Sequence, residues 1–124
     1  MLTKIFLTLI GLLYLGLAIW CAYDPKTTSS KIGFELVGGS GKSEFLTVYG
    51  GLELGLALIL LMPLFRHDWE GFALTACFLI HLSLVVFRTS GFFMFSDIGR
   101  MTYQLAIGEW VILLLSAGLM FWKR

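Results

Sequence analysis

Four stretches of this chain, residues 2–23, 45–65, 71–89 and 101–122, consist almost entirely of apolar and small residues. Each holds about the 20 residues that a helix needs to cross a bilayer. In hydrocarbon every backbone amide and carbonyl must find its partner within the segment, so these stretches are expected to be helices and not open strands. Composition agrees: 58% of the residues are hydrophobic and 14% are charged, against about a quarter charged in an ordinary soluble domain. A net charge of +1 offers no footprint for nucleic acid. The expected fold is an all-α, integral membrane four-helix bundle. It forms a single domain over residues 1–124, with antiparallel neighbouring spans and the lipid bilayer as partner.

The breaks between spans are short. Asp24-Pro25 ends the first, Arg66-His67-Asp68 separates the second from the third, Ser90-Gly91 ends the third, and Lys123-Arg124 follows the fourth. The apolar run over residues 5–22 exceeds the roughly 7–15 residues of a signal-peptide core and precedes no small-x-small cleavage site, so a retained span is expected. In the connection 24–44, Ile32, Phe34 and Leu36 alternate with polar or small residues, as in a short strand or an interfacial segment. "GGSGKS" over residues 38–43 is similar to a phosphate-binding loop, but Leu36 stands where that pattern needs its first glycine. A flexible glycine-serine connection is the better reading. Phe92, Phe93, Met94 and Phe95 suit the membrane interface. Lys4, Arg66, Lys123 and Arg124 fall on one side, and Lys26, Lys31, Lys42, Arg88 and Arg100 on the other. Positive charge alone does not separate the two sides; the dense C-terminal pair and the short middle turn favour termini in the cytoplasm.

Against this apolar background the ionisable residues stand out. At a helix centre each costs at least about 2.5–3.5 kcal/mol on insertion scales unless paired or neutralised. Glu53 lies eight residues into the second span, Glu109 eight into the fourth, His81 eight from the end of the third and Tyr14 nine from the end of the first. All four therefore sit about 12–14 Å below the same surface. His81 and Arg88 are one heptad apart on one face, Thr102, Glu109 and Ser116 form a similar stripe, and Tyr49 is one turn from Glu53. The expectation is a polar layer of Glu53, Arg88 and Glu109, with His81, Tyr14 and Tyr49 close by. Arg88 bridging both carboxylates would be a structural ion pair. Two glutamates against one arginine leave a carboxylate over, so one glutamate or His81 is expected to carry a proton.

Gly51 and Gly55 form a GxxxG pair, a spacing that lets helices approach closely in lipid. They lie nearly opposite Glu53 on the helix, which suggests a contact with a second copy of the chain. Cys21 and Cys77 show no CxxC or Cys/His spacing and read as small apolar residues. No helical Glu-x-x-His pair is present, so neither a metal nor another cofactor is expected.

The segment "EFLTVYGGLELGLALILL", with Glu44 five residues before Tyr49-Gly50-Gly51, resembles the signature of a bacterial family of small four-helix membrane proteins known as a domain of unknown function. Arg88 late in the third span and Glu109 in the fourth match its basic and acidic positions; Tyr14, Gly16, Trp20 and Pro25 resemble its early pattern. Leu46 stands where the family has a basic residue. The resemblance implies a four-span protein of the bacterial inner membrane and supplies no activity. From the residues, three readings remain. The first is binding or transport of a small apolar or amphipathic ligand at the polar layer. The second is a small membrane enzyme, with Glu53 or Glu109 as acid or base and Arg88 stabilising charge. The third is an assembly subunit whose charges only fix packing.

Overall fold

The computed structural model describes residues 1–122, and no strand occurs among them. Five helices follow in order: α1 (Leu2–Tyr23), α2 (Pro25–Lys31), α3 (Gly38–Leu64), α4 (His67–Met94) and α5 (Arg100–Trp122). All but α2 are long and apolar enough to cross a membrane. Lys123 and Arg124, the expected basic terminus, lie outside the described residues.

Local chemistry sets the helix ends. Asp24 closes α1 and caps α2: its carboxylate accepts a hydrogen bond from the Thr27 amide at 3.1 Å, and Pro25 occupies the first helical position. Hydrogen bonding from the Thr27 hydroxyl and amide holds the Asp24 carboxyl below its ordinary range. Gly33 and Gly38 adopt φ values of +86° and +61°, which other residues rarely take, and they bracket the turn from α2 into α3. At the other end of the bundle, Arg66 forms a surface ion pair with Asp68 at 2.9 Å. Lys4 Nζ donates to His67 Nδ1 at 2.6 Å, tying the start of α1 to the turn between α3 and α4.

Three sequence expectations about boundaries change. Residues 38–43 are the first turns of α3, not a flexible connection, so this helix starts at Gly38 instead of residue 45. The alternation of Ile32, Phe34 and Leu36 forms no strand; Phe34 folds back onto Tyr49 and Phe45. Ser90-Gly91 does not end the third span, because the Ser90 hydroxyl donates to the Val86 carbonyl at 2.8 Å and the helix runs on to Met94. Hydropathy marks where apolar residues stop, whereas helical hydrogen bonding continues into the interface.

The four long helices form two closely packed pairs, α1 with α3 and α4 with α5. The pairs meet more sparsely through α1–α4 and α3–α4. Leu7, Ala57, Ala73 and Cys77 are fully buried where they meet. The close approach of α1 to α3 depends on Gly11: a Cβ there would lie 2.8 Å from Leu61 Cγ and 2.9 Å from Cδ2. Gly51 and Gly55 behave differently, since a Cβ on either would meet nothing within 4 Å. Within one chain, the tight glycine contact is at Gly11 and not at the GxxxG pair.

Candidate functional site

The polar residues within the spans sort into three groups. Arg88 of α4 and Glu109 of α5 form the first. The guanidinium donates from Nε to Oε2 and from Nη2 to Oε1, both at 2.6 Å. This planar, two-pronged geometry is the strong form of the contact. The side chains are 28% and 12% exposed, so the pair is largely withdrawn from its surroundings. Arg88 therefore does not bridge two carboxylates: its fork is closed on Glu109.

The second group joins α1 to α4. Tyr14 and His81 are 3.0 Å apart, Oη to Nε2, and His81 Nδ1 lies 2.7 Å from the Cys77 carbonyl. A carbonyl only accepts, so Nδ1 carries the hydrogen. A neutral ring then accepts from the Tyr14 hydroxyl at Nε2. Both ring nitrogens are satisfied with no additional proton. Cys77 occupies the position four residues before His81, and that spacing was the available sequence signal for its carbonyl as the ring's acceptor.

Glu53 is the third. It follows a seven-residue π-helical segment, Leu46–Leu52, in which the backbone of α3 widens. Such segments are rare and frequent at functional sites. Glu53 is partly buried, and its Oε2 is fully buried with no hydrogen-bond partner. Tyr14, Tyr49 and Cys21 lie within electrostatic range of it. Tyr14 is also in range of Glu109, and Tyr49 of Arg88. Tyr14 thus lies in range of both glutamates, but of the three groups only Glu53 is left with an unmatched acceptor. Tyr49 stacks on Phe45 at 4.7 Å between ring centres and meets the edge of Phe34 at 5.8 Å, an aromatic cluster not foreseen from the sequence.

Two cavities bear on what this region can do. One of about 330 Å³ lies against α4 and is lined by Ser83, Leu84, Phe87 and Arg88. A larger one of about 930 Å³ lies under the connection from α2 to α3. Neither is lined by Glu53. Among the described residues, no group of three His, Cys, Asp or Glu side chains is placed to hold a metal ion. No family model, curated protein or solved structure matches the chain.

Proposed function

We propose that the chain is a multi-pass protein of the bacterial inner membrane that binds or carries a small apolar or amphipathic molecule, with Glu53 meeting the polar end of that molecule. The observation that carries this reading is the buried, unpartnered Glu53 Oε2, in a chain whose other span carboxylate, Glu109, is already closed on Arg88. Buried polar atoms are nearly always hydrogen-bonded, and an exception calls for an explanation. Arg88 and Glu109 cancel each other's charge, so Glu53 is the carboxylate left over. A proton, or the hydroxyl or amine of an amphipathic ligand, supplies what it lacks. Tyr14 and Tyr49 lie within electrostatic range of it, and Tyr14 already donates its hydroxyl to His81. The termini face the cytoplasm in this reading, and the two longer connections face the opposite side.

An enzyme reading gains less. The guanidinium that would stabilise developing charge is engaged with Glu109 in a two-pronged bond and would have to release it first. The assembly reading is favoured by one observation: Gly51 and Gly55 face open space, where a second copy of the chain would fit.

The test is native mass spectrometry of protein purified gently from its own membrane, wild type beside Glu53→Gln. The reading expects a small molecule on the wild type that is absent from the variant. A bare wild type, together with a variant of much lower melting temperature, would sink it and leave the assembly role.

A further inference from the structure

The cavity of about 930 Å³ has no part in the Glu53 reading. It lies where α1 has ended at Tyr23 and the apolar part of α3 has not yet begun, so it opens at the level of the membrane surface. Its size is in the range of small-molecule sites, about 300–1,000 Å³. Lys26 lines it from α2 and Lys42 from the first turns of α3. Neither lysine forms an ion pair among the described residues, whose salt bridges are Arg66–Asp68 and Arg88–Glu109. Glu35 is the one acidic residue in the lining, so the cavity carries one net positive charge. Asp24 is within electrostatic range of both Lys26 and Lys31, and Lys31 Nζ lies over the Trp20 ring at 5.0 Å. Ser29 and Ser30 also line the cavity, and the Ser29 hydroxyl donates to the Lys26 carbonyl at 3.0 Å. Pro25, Phe34 and Leu36 supply the apolar part of the lining, and Phe34 is half exposed.

We propose that this cavity is a docking site for a phosphate-bearing anionic group at the membrane surface, held between Lys26 and Lys42. Two lysines, one from each of two helices, suit a phosphate, which accepts hydrogen bonds from several directions at once. Phe34 and Leu36 in the lining suit the first carbons of an acyl chain, which favours a lipid headgroup over phosphate in solution. Lys42 belongs to the "GGSGKS" stretch, and its role in this site does not depend on nucleotide binding.

The experiment is a melting-temperature series on the full chain in dodecyl maltoside. The probes are dioctanoyl phosphatidylglycerol, dioctanoyl phosphatidylcholine and inorganic phosphate. A ligand that binds only the folded protein raises the melting temperature. Phosphatidylglycerol should raise it, phosphatidylcholine should do so much less, and Lys26→Gln/Lys42→Gln should weaken phosphatidylglycerol binding by about tenfold or more. Both lysines are at the surface, so the variant should fold. Lys4→Gln, at the opposite end of the bundle, should keep the effect, and so should Glu53→Gln, which separates this site from the one in the bundle. Inorganic phosphate reproducing the whole shift would assign the site to free phosphate; no effect of phosphate would assign it to the lipid. Equal shifts from both lipids, no shift from any anionic probe, or an undiminished shift in the double lysine variant would overturn the proposal.

Discussion

Glu53 and Glu109 enter the bundle from the same side and at the same depth in sequence, yet they meet opposite surroundings. Glu109 receives two hydrogen bonds from Arg88, while Glu53 keeps a buried oxygen without a partner. The difference lies in the neighbouring helix. Glu109 is on α5, which packs along α4, and α4 carries Arg88. Glu53 is on α3, which packs along α1, and the only charged residue in α1 is Lys4, at its far end. What α1 has within electrostatic range of Glu53 is Tyr14 and Cys21, neither of them a cation. The pairing of a membrane carboxylate is thus decided by helix adjacency as much as by depth.

The strongest way to break the comparison is to remove the arginine. Arg88→Gln leaves Glu109 without its counter-charge and should cost about 3 kcal/mol, read as a lowered melting temperature in detergent. Arg88→Met combined with Glu109→Leu should cost clearly less, because no charge is left behind. Equal losses in the two variants would mean that the pair contributes packing alone. Next in size is the other helix pair. Gly11→Ala must displace Leu61 and should cost about 1–3 kcal/mol. Gly55→Ala, which meets only open space, should cost nothing within one chain. If Gly55→Ala instead shifts the protein to a smaller species in size-exclusion chromatography, that face is a contact between copies.

The test that sharpens the comparison most has a small expected effect. Glu53→Gln keeps the shape and removes the charge, so stability should change by less than about 1 kcal/mol, whereas Glu109→Gln breaks a charged pair and should cost more. Similar losses for the two would make Glu53 a structural residue. The smallest effect belongs to the surface. The Asp24 carboxyl titrates lower in the folded chain than in the unfolded one, where about 3.9 is usual. Its contribution is therefore complete above that value and lost as the pH falls through the folded one. Asp24→Asn should flatten this acid limb in a melting-temperature series between pH 5 and pH 2, both set by about that reference range.

How much of this was legible beforehand depends on the physical quantity involved. Depth follows from a fixed rise per residue, and of the four residues counted to one depth Tyr14 and His81 are in contact, while Glu109 bonds to Arg88 and Glu53 Oε2 has no partner. Helix ends were less legible: residues 38–43 and 90–94 are too polar or too irregular for a hydropathy window, but their backbones remain helical. The pairing of Arg88 with Glu109 alone required knowing that α4 lies along α5. The π-helical segment before Glu53 was not visible either, because Tyr49-Gly50-Gly51 reads equally well as an ordinary turn of helix. Gly11 was overlooked because a lone glycine lacks the spacing that drew attention to Gly51 and Gly55.

The Arg88–Glu109 contact also bears on how the chain enters a membrane. Helix α4 alone would bring a guanidinium into hydrocarbon with nothing to offset it, and α5 alone would bring a carboxylate. Side by side as a hairpin they let these two charges cancel within the apolar part of the helices, joined by a connection of only a few residues between Met94 and Arg100. In the multi-pass membrane reading proposed above, the two helices insert together, so that neither charge meets hydrocarbon alone.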